Sequence, residues 1–272
     1  MTDEPSAIRK AETIADYRAC QAAQRLAWGI TDDTYIIPLA TMVGAQHHGG
    51  LVLGAFRPDG EALGLSFAFL GKIRDRPCLY SQLTGVVPGQ QGLGLGGRLK
   101  QAQREFAQAQ GLACLAWSFD PLQSGNARFN LDRLGATSSR YIPDMYGPRT
   151  DALNADAPTD RLIVEWEADP AASPASKVAY EDALNLPRWP SIVDPSGLAK
   201  SPGGVPDGPT TVLEIPADIA SIRREDGVLA GAWVRGVRQS FEAAFARGYR
   251  AVGFVRGEVE GHLRCFYVLS RP

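Results

Sequence analysis

The sequence is poor in the residues that most often bind metals or act as nucleophiles, with three histidines and four cysteines among 272 residues. The cysteines are scattered without the spacing of a metal site, and three of them lie in apolar contexts typical of reduced core thiols. We therefore expect no metal. His47 and His48 precede a Gly-Gly turn, where one of them is either a solvated loop residue or a general base.

Long apolar runs and a strong charge of one sign are also missing. No run reaches the length of a membrane span, and the net charge is only −2. Neither a membrane nor a nucleic acid is therefore an expected partner. The segment Met1–Asp16 is polar with charges of both signs, which is not typical of a signal peptide. A cytoplasmic protein is the resulting prediction.

Hydrophobic periodicity and turn residues predict helices and strands that alternate along the chain. The predicted helices are Ile8–Trp28, Leu39–His47, Gly96–Gln110, Asn126–Leu134 and Val228–Arg247. The predicted strands are Leu51–Arg57, Glu61–Leu70, Pro77–Val87, Leu112–Phe119, Arg161–Glu167, Thr211–Ile215, Tyr249–Val255 and Leu263–Ser270, with Tyr141–Tyr146 either a strand or a loop. This order indicates an α/β (α+β) fold with a mixed sheet.

Proline-rich composition divides the chain into a first domain, 1–168, a linker, 169–210, and a C-terminal α/β half, 211–272. The segment Gly231–Phe241 echoes Gly96–Phe106, and in both an apolar strand stands before and after the helix. The C-terminal half is therefore interpreted as a degenerate repeat that docks on the first domain. Its predicted buried helix face is formed by Trp233, Val237, Phe241, Ala244 and Phe245.

The most informative stretch is Val86–Lys100, where an apolar strand leads through a glycine-rich turn into an amphipathic helix. Free N–H groups at a helix N-terminus attract phosphate, and glycines let the ligand approach the backbone. The stretch lacks the Lys-Ser/Thr of a phosphate-binding Walker A loop. A dinucleotide fingerprint fits the spacing Gly92, Gly94 and Gly97, but no acidic residue follows on the next strand.

The segment Gln91–Gly96 resembles the acyl-CoA signature Q/R-x-x-G-x-G/A of the GNAT acyltransferase superfamily. The resemblance continues through Asn126–Ala127 and Leu134–Ala136. It implies a mostly antiparallel mixed sheet flanked by helices, with acetyl-CoA or another acyl-CoA as co-substrate. The segments Trp117–Leu122 and Tyr146–Gly147 are similar to a long, poorly characterised subgroup, some of whose relatives are linked with N-acylamino-acid racemase pathways.

The resemblance also implies which residues hold the acyl-CoA. Backbone groups of Gly85, Val86 and Val87 would pair with the pantetheine arm like an added strand, and Asn126 would hydrogen-bond to the same arm. The pyrophosphate loop would consist of Gln91, Gly92, Leu93, Gly94, Leu95, Gly96 and Gly97.

The position at which many members of the superfamily carry a proton-donating tyrosine is Leu131 here. Tyr146 and Tyr141 lie just downstream and are the candidate acids, although an ordinary packed tyrosine is the alternative for each. Asp120 ends a strand and is the candidate base, with a structural Asp-Pro turn as the alternative.

Three residues are candidates for the acceptor side. Arg161 and Arg140 could bind a carboxylate of the substrate through two hydrogen bonds. Trp28 could form a wall of the acceptor site, or else belong to the core.

These observations predict an acyl-CoA-dependent N-acyltransferase that moves an acetyl or succinyl group to the amine of a small molecule, with an amino acid as one candidate. A non-catalytic acyl-CoA-binding or sensing module is the alternative, and a dinucleotide enzyme is a third interpretation. Pairing with a second copy of the chain is an expected mode of assembly.

Overall fold

The computed structural model describes residues 7–147, 158–172, 178–191 and 206–271, which divide into two units. Unit 1 contains 7–117 and 167–172, and unit 2 contains the remaining described residues. The predicted division at 168 and 210 remains a prediction.

Unit 1 is built on five strands in the order β1-β2-β3-β4-β5. They are β1 Ala7–Lys10, β2 Leu51–Phe56, β3 Ala62–Ile73, β4 Arg76–Val86 and β5 Cys114–Phe119, whose residues as far as Trp117 belong to this unit. The first four strands are antiparallel neighbours, whereas β5 runs parallel to β4. The β3–β4 hairpin turns at Arg74 and Asp75, whose φ angles of 45° and 67° suit a tight two-residue turn.

Three helices belong to this unit: α1 Ile14–Trp28, α2 Leu39–His47 and α3 Leu95–Ala109. A parallel strand pair needs a crossover connection, and α3 supplies it between β4 and β5. The prediction that α1 begins at Ile8 was wrong, because Ile8 lies in β1 and pairs with Ala55. The helix begins later because Thr13 and Asp16 form a reciprocal capping box around its first turn.

Unit 2 contains the short helix α4 Ser124–Ala127, which continues as a π-helical turn over Arg128–Arg133. Its other helices are α5 Tyr180–Leu184, α6 Ile219–Glu225 and α7 Gly227–Ala246. Its strands are β6 Thr137–Ile142, β7 Arg161–Glu167 (as far as Trp166), β8 Arg188–Trp189, β9 Thr210–Ile215, β10 Arg250–Val259 and β11 His262–Ser270.

The strand order in unit 2 is β7-β6-β10-β11-β9-β8, and every neighbouring pair is antiparallel except β8 with β9. In each unit the strands are mixed, mostly antiparallel and flanked by helices, which confirms the predicted fold class. The elements α5 and β8 lie within the predicted linker, where prolines led us to expect no regular structure. Parts of that linker, 173–177 and 192–205, lie outside the described residues.

The long helix of unit 2 packs on an aromatic core. Val237, Phe241 and Ala244 are buried as predicted, whereas Trp233 and Phe245 are half-buried. The ring of Phe241 packs edge-on against Tyr267 at 5.0 Å between centroids. The strands on either side of α7, β9 and β10, both pair with β11. By contrast, the strands on either side of α3, β4 and β5, pair directly with each other in parallel. The proposed repeat therefore matches only in the order strand, helix, strand.

Asp16 anchors the start of α1 through four hydrogen bonds. Its carboxylate accepts two from the Arg9 guanidinium, at 2.6 and 3.0 Å, and one each from the backbone N–H of Glu12 and of Thr13. The hydrogen bond from Arg9, followed by those from the backbone, holds the pKa of Asp16 well below its ordinary value. A carboxyl group whose pKa is lower in the folded state stabilises the fold at pH values above its pKa in the unfolded state. This contribution is lost as the pH falls towards its pKa in the folded state.

We expect Asp16→Asn to lower the free energy of unfolding by about 2 kcal/mol at pH 7, because a buried charged acceptor is lost. The difference from the wild-type protein should shrink as the pH falls below about 4, where the unfolded carboxyl takes up its proton. Urea unfolding of both proteins at pH 7, 4 and 3 measures this. A difference that stays constant over this range would contradict the assignment.

Candidate functional site

The second half of β4 is not paired with its parallel neighbour β5. The β4–β5 ladder runs from Cys78–Cys114 to Tyr80–Ala116, while β4 continues to pair with β3 as far as Val86. A β-bulge interrupts the β3–β4 register here, because Phe67 faces Leu83 while Ala68 faces Ser81, which leaves Gln82 as the extra residue. Within unit 1, the edge of β4 from Ser81 to Val86 therefore extends beyond the residues that β5 pairs with.

A glycine-rich loop connects this edge to α3. The N–H of Gln90 donates to the carbonyl oxygen of Val87 to close a turn, and the Gln91 amide donates to the Val86 carbonyl oxygen at 3.3 Å. Gly92 and Gly94 have φ angles of 82° and 81°, a region in which a side chain is strained. These contacts give the loop its path from strand to helix.

Gly94 is the N-cap of α3, and no side chain caps this end of the helix. The N–H groups of the first helical turn, from Leu95 to Gly97, therefore have neither an intrahelical acceptor nor a capping side chain. An added Cβ on Gly96 would meet only Val86, at 4.0 Å. The turn thus presents bare donors on a small surface, which suits an anion.

Trp28 packs on the backbone of β4, where an added Cβ on Gly85 would overlap its indole ring. Trp28 is half-buried and belongs to the margin of the core formed by α1, α2 and the sheet. The structure therefore brings the predicted wall residue Trp28 together with the predicted pantetheine-binding residue Gly85.

A buried polar cluster lies between α3 and the strands at the end of the β4–β5 ladder. The Lys100 ammonium donates to Ser81 Oγ at 2.9 Å and lies 4.0 Å from the centroid of the Trp117 ring. Ser81 Oγ donates to Gln103 Oε1 at 3.0 Å and lies 3.4 Å from Thr84 Oγ1. Burial holds the pKa of Lys100 well below its ordinary value.

Helical spacing predicts an inner face of α3 formed by Leu99, Ala102, Gln103, Phe106 and Ala109, and the observed face differs from it. Phe106 is half-buried and Ala109 is exposed, whereas Lys100 and Arg104 are buried. Arg104 Nε donates to the backbone carbonyl of Glu167 at 2.8 Å. Sequence reasoning missed Lys100, because a lysine on an amphipathic helix is ordinarily assigned to the solvent side.

In unit 2, the structure groups two of the predicted site residues. The Tyr146 hydroxyl forms a hydrogen bond of 3.0 Å with Ser118 Oγ, and the Arg161 guanidinium lies 5.3 Å from the centroid of its ring. The backbone N–H of Tyr146 donates to Thr159 Oγ1 at 2.9 Å. Arg161 is buried and donates to the carbonyl oxygen of Asp160 at 2.8 Å.

Tyr141 lies in a different network of the same unit. Its hydroxyl donates to Asp160 Oδ2 at 2.5 Å, and Arg238 donates to both oxygens of the same carboxylate at 2.6 and 2.9 Å. Burial, followed by the charge of Asp160, raises the pKa of Tyr141 far above its ordinary value. A hydroxyl that holds its proton so firmly is a poor acid, which disfavours Tyr141 as a proton donor.

The candidate base Asp120 forms an ion pair of 3.0 Å with Arg223 and accepts a hydrogen bond from the Leu122 N–H at 2.9 Å. Both contacts suit the structural turn that was its alternative interpretation. Asn126 and Arg140 are exposed, and Leu131 is buried in the π-helical turn.

All four cysteines are buried free thiols. Within the described ranges, no three or more His, Cys, Asp or Glu side chains come together where they could hold a metal ion. The helices of the described chain are also too short or too polar to cross a membrane.

In the C-terminal part of the chain, the turn before α7 carries Asp226, which caps that helix by accepting a hydrogen bond from the Leu229 N–H at 2.9 Å.

No family model matches the sequence, and no curated protein sequence matches it. Among solved structures, the chain is similar to the YncA protein of Salmonella typhimurium with its cofactor acetyl-CoA, at 20% identity over 64% of this chain and 100% of the other, with a TM-score of 0.48. It is also similar to an N-acetyltransferase from Staphylococcus aureus, at 18% identity over 61% and 100%, with a TM-score of 0.48. A ribosomal-protein alanine N-acetyltransferase from Escherichia coli shows 19% identity over 64% and 99%, with a TM-score of 0.46.

The burial of Lys100 predicts how stability responds to its removal. The unfolded lysine binds a proton below about pH 10.4, whereas the folded amine loses its proton at a lower pH. Between these two values the unfolded state binds more protons, so the stability of the wild-type protein rises with pH.

We expect Lys100→Met, which keeps the length of the side chain, to be more stable than the wild type at pH 7 by about 1–4 kcal/mol, since no amine needs to be desolvated. The difference in the free energy of unfolding between the two proteins should become smaller as the pH approaches 10. Urea unfolding at pH 7, 8 and 9 provides the measurement, with the exposed Lys10→Met as the matched control. A less stable Lys100→Met protein would show that the amine is well compensated in the fold.

Proposed function

We propose that the chain is an acyl-CoA-dependent N-acyltransferase of the GNAT type, which transfers an acetyl or succinyl group to the amine of a small molecule. The observation that carries the proposal is the arrangement in unit 1 of an open strand edge, a glycine loop and an uncapped helix N-terminus in direct succession. Each part meets one requirement of an acyl-CoA ligand.

The β4 edge provides backbone donors and acceptors for the two amides of the pantetheine arm, which would bind like an added strand. Gly85, Val86 and Val87 are the proposed partners of that arm. The N–H groups from Leu95 to Gly97 would hold the pyrophosphate, because the positive end of a helix dipole favours an anion.

Acyl transfer needs a proton to leave the attacking amine and another to reach the sulfur. Tyr146 is the proposed donor to the sulfur, since Leu131 cannot donate. Arg161 is the proposed partner of a substrate carboxylate, because a guanidinium binds a carboxylate through two parallel hydrogen bonds. Asn126, Arg140, Tyr141 and Asp120 remain predictions of the sequence.

The pyrophosphate site is best tested at Gly96, which has an ordinary helical backbone and room for a side chain. Gly96→Asp places a negative charge in the first turn of α3, where it suits the helix dipole but repels a phosphate. We expect the dissociation constant of acetyl-CoA, measured by calorimetry, to rise at least about tenfold, equivalent to roughly 1.4 kcal/mol.

Gly96→Ala is the matched control, since it adds the same Cβ without charge and favours the helix. Its affinity should stay within about twofold of the wild type, a difference well under 1 kcal/mol. If Gly96→Asp and Gly96→Ala bind acetyl-CoA with equal affinity, the pyrophosphate does not bind at this turn.

The second test concerns turnover. We expect the wild-type chain to release thiol from acetyl- or succinyl-CoA in the presence of at least one amino acid of a panel. Tyr146→Phe should keep acyl-CoA affinity and lower turnover by about a hundredfold or more, since only the proton donor is removed. Full turnover in this variant would make Tyr146 structural. Acyl-CoA binding by the wild type without thiol release would instead assign the chain as a binding or sensing module.

A further inference from the structure

The unusual group in unit 1 is the amine of Lys100, which is buried at the place where β4 and β5 cease to pair. The last residues of the parallel ladder are Tyr80 and Ala116. The next residue of each strand, Ser81 and Trp117, is in contact with the Lys100 ammonium. The amine thus lies between the two strands at the end of their ladder.

The five described strands of unit 1 contain no acidic residue, so none faces this amine from them. Leu79 and Ser81 on β4, and Leu115 and Trp117 on β5, alternate onto the side of the sheet that α3 covers. The titratable residues Cys78, Tyr80 and Cys114 alternate onto the other side.

The charged residues elsewhere around α3 have their own partners. Arg104 donates to a backbone carbonyl, Arg9 is paired with Asp16, and Lys72 is paired with Asp75. Lys10 lies over the ring of Phe106, at 4.9 Å from its centroid. Burial lowers the pKa of Lys100, and no charged neighbour among the described residues counters that effect.

The cluster around the amine also has spare hydrogen-bonding capacity. Gln103 Nε2 is buried with no acceptor in the described residues, and so is Ser66 Oγ, on the β3 residue that pairs with Thr84. Buried polar atoms without partners are rare in stable cores and cost free energy. This arrangement is difficult to account for by packing, and it is typical of a group kept for its chemistry.

The proposed function places the reacting thioester close to this cluster. About thirteen backbone atoms connect the pyrophosphate to the sulfur of CoA, which corresponds to roughly four residues of extended chain. Counted back along β4 from Val87, this length ends near Leu83 and the bulged Gln82. Ser81 is the next residue, and its hydroxyl accepts from Lys100.

We propose that Lys100 is the proton acceptor of the transfer reaction and acts through the Ser81 hydroxyl. The inference rests on the proposed acyltransferase function. The amine nitrogen of the acceptor attacks the thioester carbon, and the C–N bond forms while the C–S bond breaks. The Ser81 hydroxyl turns from Gln103 Oε1 to the neutral Lys100 amine, and the surplus proton on nitrogen passes to Ser81 Oγ as the Ser81 proton passes to Lys100 Nζ.

The remaining charges then balance without a further reactant. The thiolate takes its proton from water, or from Tyr146, which solvent then reprotonates, and the Lys100 ammonium returns its proton to solvent before the next cycle. While the ammonium exists, the face of the Trp117 ring stabilises its charge by a cation–π contact. Lys100 is a positioning residue in this scheme, since it reaches the substrate only through Ser81.

The experiment compares the wild-type protein with Lys100→Met, Ser81→Ala and the double variant, with Lys10→Met as the control for loss of a lysine. The probes are acetyl-CoA and the amino acid that gives the highest thiol release with the wild type. The readouts are acetyl-CoA affinity and the dependence of kcat on pH from 5.5 to 9.5.

We expect Lys100→Met to bind acetyl-CoA within about twofold of the wild type and to lower kcat by about a hundredfold. The acidic limb of the wild-type kcat profile should disappear, because the group that must be unprotonated has been removed. Ser81→Ala should cause a similar loss, and the double variant should be no slower than either single variant. Lys10→Met should match the wild type.

The outcomes separate this inference from the function on which it rests. Wild-type turnover with an unchanged pH profile in Lys100→Met, or additive losses in the double variant, would overturn the role of Lys100 alone. A wild-type chain that releases no thiol from either acyl-CoA would overturn the proposed function and this role together.

Discussion

The arrangement of unit 1 depends on the double pairing of β4, which is antiparallel to β3 along its length and parallel to β5 over three residues. The parallel pair requires a crossover, so the chain must leave β4, turn and return as α3. The bulge at Gln82 shifts the register of the same strand just where the parallel ladder ends. The glycine loop, the uncapped helix end and the buried lysine all occupy positions that this pairing determines.

Long periodic elements could be predicted from the sequence, and α2 and β7 have the predicted bounds. The start of α1 was misplaced because Ile8 fits a helix as well as a strand, although the Thr13–Asp16 spacing was a readable capping signal. The elements α5, α6 and β8 contain too few residues to show a period. The position of β11 between β9 and β10 has no local signal, since the order strand, helix, strand leaves adjacency open.

The features of the candidate site likewise divide into those that the sequence could predict and those that it could not. The glycine loop was predictable because its function needs consecutive residues with particular backbone angles, which a short motif records. The partners of Asp120 and Asp160 lie 103 and 78 residues further along the chain, so sequence patterns do not reveal that these carboxylates are paired. Lys100 was missed for a different reason, since periodicity describes which face is apolar and gives no sign of a buried amine.

Unit 2 combines segments that are far apart in the sequence, and this affects how it can fold during synthesis on the ribosome. Residues 118–147 and 158–166 belong to the same unit as β9, α7, β10 and β11, and β6 pairs with β10 near the end of the chain. Such long-range pairing slows folding, because distant segments must meet before their contacts can form. Most of unit 1 has emerged long before β10, whereas β6 must wait until β10 has been translated. A nascent chain stalled before β10 would therefore expose the edge of β6, where a chaperone would be of most use.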